Sequence, residues 1–218
     1  MKTALIIGST GLIGSQLLQI LLESDYYSTV ITFVKRDTGI QHSKLKQYII
    51  DFDKPESYKD LVNGDDFFCT IGTTINKAGS KEAFRKVDFE YPQQFAKIAV
   101  KNKINQFLII SSLGATISSS NFYLKTKGEI ESFLKASTLE KVSILRPSLL
   151  LGNRTEFRFG EKVGAYFIKT FSFLFNGKLK KYKPIESAMV AKALFVIAQQ
   201  NNKGFTIYES DWIQEIGK

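Results

Sequence analysis

The sequence predicts an α/β fold: a doubly wound, mostly parallel sheet in the order 3-2-1-4-5-6 with helices on both faces. Three observations predict it. Short apolar runs rich in β-branched residues alternate with longer stretches of helical periodicity along the chain. A glycine-rich turn joins the first such run to the first such stretch. At 218 residues, 44% of them hydrophobic, the chain suits one domain, 1–218, rather than two.

The elements follow in order. Thr3 to Ile7 reads as a buried strand. Leu12 to Glu23 carries Leu12, Ile13, Leu17, Leu18, Ile20, Leu21 and Leu22, one broad apolar face of a helix. Thr29–Val34 is a second strand, Gln47–Ile50 a third, Asp66–Ile71 a fourth, Gln106–Ser111 a fifth and Val142–Leu145 a sixth. Lys81 to Lys103 is helical, broken or kinked near Pro92. Asn121 is an N-cap for a helix running to about Ala136. Two later helices are expected, Lys162–Phe175 and Ile185–Gln200, and Phe205–Tyr208 is a candidate seventh strand at the edge. Residues 147–218 then form a small pocket portion within the same domain.

Composition narrows the partners. Thirty Lys and Arg against 21 Asp and Glu give a formal charge of +9. The bases are mostly scattered, and the dense group Lys178, Lys180, Lys181 and Lys183 reads as a solvated loop. No helix-turn-helix or aromatic-basic pattern stands out, so no nucleic-acid partner is expected. One cysteine, Cys69, forbids an internal disulfide and fits a reducing compartment. The apolar start breaks at Gly8, too early for a secretory signal, and no run is long enough to span a bilayer. The expectation is a soluble cytoplasmic protein. A single histidine, His42, reads as a surface residue; with one His and one Cys, a zinc site or a Ser-His-Asp triad is close to excluded.

The turn Gly8-Ser9-Thr10-Gly11-Leu12-Ile13-Gly14 carries the strongest chemical signal. A chain that turns sharply from strand into helix needs glycine for tight or positive-φ conformations and for close helix packing. Bared amides and the positive end of the helix dipole then face an anion. Placed at the first strand–helix turn, this pattern indicates a Rossmann-type fold holding the diphosphate of a nicotinamide dinucleotide. The second strand runs into Lys35-Arg36 where NAD-preferring proteins place an acidic residue. A guanidinium grips a 2′-phosphate bidentately, so NADP(H) is favoured, with Arg36 as the main contact. Asp37, one residue later, keeps NAD as the alternative. Asp51-Phe52 and Gly72-Thr73-Thr74 follow the third and fourth strands, where ligands bind in open parallel sheets.

Ser111-Ser112 closes the fifth strand, and Tyr123-Leu-Lys-Thr-Lys127 follows. Tyr123 and Lys127, four apart, share one face of a helix. A phenol ionises near pH 10, and a neighbouring ammonium favours its charged form, so a tyrosine so placed can exchange a proton with a substrate oxygen. A serine hydroxyl nearby can bond the same oxygen. Ser112 is preferred to Ser111 for that role.

The order of these pieces resembles the short-chain dehydrogenase/reductase superfamily in its atypical branch, above all the Tat-interacting-protein-like oxidoreductases. The matching pieces span nearly the whole chain: 8–14, Lys35-Arg36, Asp51-Phe52, Gly72-Thr73-Thr74 with Lys77-Ala78-Gly79, Val87-Asp88, Ser111-Ser112, Tyr123 to Lys127, Arg146-Pro147 with Gly152, and Tyr208-Glu209-Ser210. The resemblance implies a bound dinucleotide, Ser112, Tyr123 and Lys127 in catalytic roles, and Arg146, Pro147 and Ser148 wrapping the nicotinamide end. Two departures stand out. The Ser-to-Tyr spacing is short for the main branch, and Asp88 or a neighbour stands where many relatives carry a catalytic asparagine. Apolar residues of Lys162–Phe175 would form a lid over a carbonyl or alcohol substrate, or a homodimer face, in preference to an interfacial membrane helix. The expected activity is NADP(H)-dependent hydride transfer; the alternative is a dinucleotide-binding redox sensor acting through a protein partner.

Overall fold

The computed structural model describes residues 1–151, 177–200 and 202–218. Its main sheet has seven parallel strands. They are β1 (Lys2–Ile7), β2 (Tyr27–Val34), β3 (Leu45–Ile49), β4 (Asp66–Cys69), β5 (Gln106–Ile110), β6 (Lys141–Arg146) and, skipping a short pair, β9 (Gly204–Glu209). The spatial order is β3-β2-β1-β4-β5-β6-β9, the expected order with the seventh strand added at the edge beside β6. The short pair, β7 (Leu150–Leu151) and β8 (Ile185–Glu186), makes a separate parallel ladder.

Side chains alternate across β1 with period two. Ala4 and Ile6 face one layer, which holds α1 (Leu12–Glu23) and the later helices α6 (Ser187–Gln199) and α7 (Ser210–Ile216). Leu5 and Ile7 face the other, where α4 (Tyr91–Lys101) and α5 (Phe122–Lys135) pack. Leu17, Leu18 and Leu21 of α1 meet Val190, Leu194 and Ile197 of α6 in the first layer. Phe95 of α4 sits among Phe33, Phe52, Tyr58 and Phe67 in the second. At about 25 cal/mol per Å² of apolar surface, these two layers are the main source of stability.

Several boundaries differ from the sequence expectation. The fourth strand stops at Cys69 and the fifth at Ile110, so Thr70–Ile71 and Ser111–Ser112 lie in the loops beyond them. Ile185–Glu186 pairs with β7 instead of opening α6. The long helix from Lys81 breaks into α3 (Lys81–Arg85), a π turn (Lys86–Glu90) and α4. Pro92 explains the break. It has no N–H to give the carbonyl of Asp88, and the Tyr91 N–H instead reaches back five residues to Lys86. The helix expected over Lys162–Phe175 lies outside the described residues. No helix among the described residues is long and apolar enough to cross a membrane.

Candidate functional site

β1 and β4 are neighbours, but the chain leaves them toward opposite sides of the sheet, which opens a crevice at their carboxyl ends. The glycine loop enters there. Gly8 adopts φ +83°, and any side chain on it would meet the Ile71 backbone nitrogen at 2.5 Å. A Cβ on Gly14 would fall on the Gly8 carbonyl and within 2.5 Å of Thr70 Oγ1, so this glycine lets α1 press against the loop. Gly11 is different: its φ of −81° suits any residue, and its exposed face borders the cleft.

Gly11 is the N-cap of α1 and offers no side-chain cap, and the first turn contains no acidic residue. The opening amides of the helix therefore face the cleft without an internal anion to satisfy them. Thr10, Gly11, Leu12 and Ser15 form this wall. Ile13 contributes its side chain to the core, and the buried Ser9 hydroxyl has no hydrogen-bond partner among the described residues. An uncapped helix start beside a cleft fits the diphosphate of a dinucleotide.

The cleft is about 1630 Å³, more than the roughly 300–1,000 Å³ of an ordinary small-molecule pocket. Gly72, Thr73 and Thr74 form its floor, Ser112, Leu113, Gly114, Tyr123 and Leu124 one side, and Arg146, Pro147 and Ser148 the far end. Ser112 and Tyr123 thus share one cavity with the glycine loop. Ser111 turns the other way. It is buried, and its hydroxyl donates to the Glu131 carboxylate. Of the two serines, Ser112 is the one that lines the cleft.

Asn121 caps α5 through its side chain, which accepts from the Leu124 N–H at 3.2 Å. Tyr123 is therefore in the first turn, half-buried, with its ring 5.6 Å from that of Phe84. One turn later Lys127 is buried. Its ammonium lies 2.8 Å from Asp88 Oδ1 and donates to the Ile110 carbonyl at 3.3 Å. Burial pulls this ammonium's pKa down, but the Asp88 carboxylate more than offsets it, helped by the Tyr123 phenol, and the net movement is upward. The other Asp88 oxygen accepts from the Thr73 N–H at 2.9 Å. Cys69, the last residue of β4, lies near this pair; burial pushes its thiol up to about 12, so it stays protonated.

Arg146 borders the cleft, but its guanidinium is held by Glu131 through two hydrogen bonds, one of 3.0 Å from Nε. It is thus engaged with α5 while lining the cleft. Sequence reading missed Glu131, although a signal existed. It follows Lys127 by four residues and precedes Leu134 by three, so it sits on the buried stripe of α5, where a carboxylate requires partners. Ser148 donates to the Lys183 carbonyl at 2.5 Å and accepts from Ser210 at 2.9 Å. Lys181, read as part of a solvated loop, instead pairs with Glu209 at 2.9 Å and lines the cleft.

The residues expected at the adenosine end lie outside this cleft. Lys35 and Arg36 follow β2 directly and are exposed, and so is Asp51. Phe52 is buried against Tyr91 and Phe95. The Lys35 ammonium rests 5.8 Å from the Phe52 ring centre and 5.5 Å from that of Tyr91. Asp37 accepts from the Gly39 N–H and Gln47, which lowers its pKa. His42 is exposed and accepts from the Lys44 N–H at 3.1 Å. No cluster of His, Cys, Asp and Glu suited to a metal occurs among the described residues.

A seven-stranded parallel sheet with an uncapped glycine loop at its switch point defines a dinucleotide-binding protein of the Rossmann type. The family model for NAD(P)H-binding proteins matches residues 8–170, and the chain belongs to that family. The protein FMP52 of Debaryomyces hansenii, named as mitochondrial, is 39% identical over 70% of this chain and 68% of its own length. That of Candida albicans, also named as mitochondrial, is 31% identical over 91% and 89%. Protein HTATIP2 of Rattus norvegicus is 34% identical over 76% and 70%, which agrees with the atypical short-chain dehydrogenase/reductase resemblance. Among solved structures, WbmH of Bordetella bronchiseptica in complex with NAD⁺ superposes with a TM-score of 0.71 at 16% identity, over 96% of this chain and 76% of that one. MoeE5 in complex with UDP-glucose and NAD gives 0.68 at 16%, over 94% and 74%. These two establish likeness of fold alone.

The relatives correct one expectation. Three FMP52 relatives at 31–39% identity are named as mitochondrial, which points away from a cytoplasmic location. The earlier reading rested on a lone cysteine and a short apolar start. A buried thiol says only that the fold needs no disulfide; it does not name a compartment.

Proposed function

We propose that this protein is an NADP(H)-dependent oxidoreductase that interconverts a carbonyl compound and its alcohol. The observation that carries the reading is the sharing of one cleft by Ser112, Tyr123 and the uncapped start of α1, with the Lys127 ammonium buried behind them. A bound nicotinamide supplies or accepts the hydride. The chain's own residues do the rest. The Tyr123 hydroxyl gives its proton to the carbonyl oxygen as negative charge develops there, and takes it back in the reverse direction. Ser112 donates a hydrogen bond to the same oxygen. Lys127 holds positive charge near the phenol and keeps one N–H free of Asp88 and Ile110 for a ribose hydroxyl. The amides of Leu12 and Ile13 hold the diphosphate, with Gly72, Thr73 and Thr74 beneath it. Arg36 and Lys35 take the 2′-phosphate, and Asp51 and Phe52 border the adenine. The names of the FMP52 relatives support a mitochondrial setting for this activity.

The test follows NADPH absorbance with a panel of ketones, aldehydes and quinones. Turnover that Tyr123→Phe lowers at least 100-fold, with NADPH affinity kept, is the expected result. Tight NADPH binding without turnover of any compound overturns the enzyme reading and favours a redox sensor acting through a protein partner.

A further inference from the structure

The site contains a buried carboxylate that the mechanism above does not use. Asp88 is 1% exposed and stands in the π turn that Pro92 forces open. Its two oxygens serve two different walls of the cleft. Oδ1 meets the Lys127 ammonium on α5 at 2.8 Å, and Oδ2 meets the Thr73 N–H on the floor loop at 2.9 Å. Gly72 lies beside the pair: a Cβ there would stand in ordinary contact, 3.4 Å from Oδ1 and 3.9 Å from the lysine nitrogen. We propose that Asp88 is the positioning residue of this site, a single buried carboxylate that keeps Lys127 cationic and in place while fixing the Gly72–Thr73 floor on which the cofactor rests.

The chemistry of the alternatives supports this. An ammonium with no counter-ion in a buried position gives up its proton instead of staying charged. The groups facing Lys127 are Asp88 from the π turn, Tyr123 from α5 and Cys69 from β4. The thiol is protonated through neutral pH. Of these groups Asp88 is the carboxylate, and its Oδ1 stands 2.8 Å from the ammonium. An asparagine can still accept from the Thr73 N–H, but it carries no charge and leaves the Lys127 ammonium without a counter-ion.

The inference rests on the proposed dinucleotide site but not on turnover, so its test uses binding. NADP⁺ is titrated calorimetrically into wild type and Asp88→Asn between pH 6 and pH 9. The expected ratio of variant to wild-type Kd is within about threefold at pH 6 and at least tenfold larger at pH 9, as the unpaired lysine loses its proton. Lys127→Met should weaken binding by a factor that does not change with pH. A ratio for Asp88→Asn that is flat across this range overturns the proposal. If Asp88→Asn does not fold, the double variant Asp88→Asn/Lys127→Met decides. Its folding supports the proposal, because the carboxylate is then required only while the lysine is charged; its failure to fold overturns it. Absence of turnover in the wild type would end the enzyme reading and leave this titration intact.

Discussion

Two glycines of the same loop should fail in different ways when given a methyl group. On Gly14 the new carbon lies within 2.5 Å of Thr70 Oγ1 and against the Gly8 carbonyl, while ordinary contact begins near 3.4 Å. Thr70 is not free to swing aside, because its hydroxyl is bonded to the Ile7 carbonyl at 2.8 Å. The helix must therefore retreat by about 1 Å, an overpacking strain of about 1–3 kcal/mol. For a chain of this size that is a fall in Tm of roughly 2–12 °C. On Gly11 the methyl meets only the Gly8 carbonyl oxygen, at 3.2 Å, and the backbone needs no change. Its structural cost is that of a poorer N-cap, about 0.5–1 kcal/mol. The methyl does, however, project toward the cleft and holds an anion off the amides behind it. Loss of one charge-assisted hydrogen bond, about 1.5–3 kcal/mol, weakens binding roughly 10- to 150-fold. The assay pairs thermal unfolding with NADPH fluorescence titration. Gly14→Ala should lose stability and affinity together, and Gly11→Ala mainly affinity. A Gly11→Ala protein that binds NADPH within twofold of wild type would refute the assignment of that wall to the diphosphate.

Three further outcomes follow from the same geometry. Arg36→Ala should weaken NADP(H) about 10- to 100-fold and NAD(H) less than threefold, the signature of a lost phosphate contact; equal losses would remove the basis for preferring NADP. Glu131→Gln leaves the Arg146 guanidinium without its counter-charge, at a cost of about 2–4 kcal/mol, below the usual figure for fully buried pairs because Arg146 is partly exposed; a fall in Tm of on the order of 10 °C should accompany it, and an unchanged Tm would show the pair to be idle. Asp66 sits at the opposite end of the sheet, where burial raises its carboxyl against the contacts of Tyr27 and Lys2. A carboxyl raised in the folded state contributes stability that is present at low pH and lost as pH rises through its folded value. The stability of wild type relative to Asp66→Asn should thus decline from pH 4 to pH 7; a lead that grows over that range would contradict the burial argument.

The legible parts of this protein were those set by local sterics. Leu12–Glu23 could be bounded as a helix because its apolar stripe begins right after a glycine N-cap and ends before Ser24. Asn121 could be placed because a capping side chain acts within three residues. The glycine loop was readable because close approach leaves a mark in the residue type itself. The relations that shape the candidate site were not local. Asp88 and Lys127 meet across 39 positions, and Arg146 reaches Glu131 only once β6 has docked beside β5. Phe84, Asp88, Tyr91 and Phe95, all buried, share one face of this region, a stripe that sequence reading passed over, and the partner of Asp88 could be found only in three dimensions. The exact ends of β4 and β5 were also hidden, because Thr70–Ile71 and Ser111, which follow the last paired residues, are types that a strand accommodates equally well.

Amide shifts of the ¹⁵N-labelled protein on addition of NADP(H) would test the central claim most directly. The largest changes should fall on Leu12 and Ile13 at the start of α1 and on Thr73 across the crevice. A protein whose amides there stay still at saturating nucleotide, or one that takes up no nucleotide at all, would contradict it.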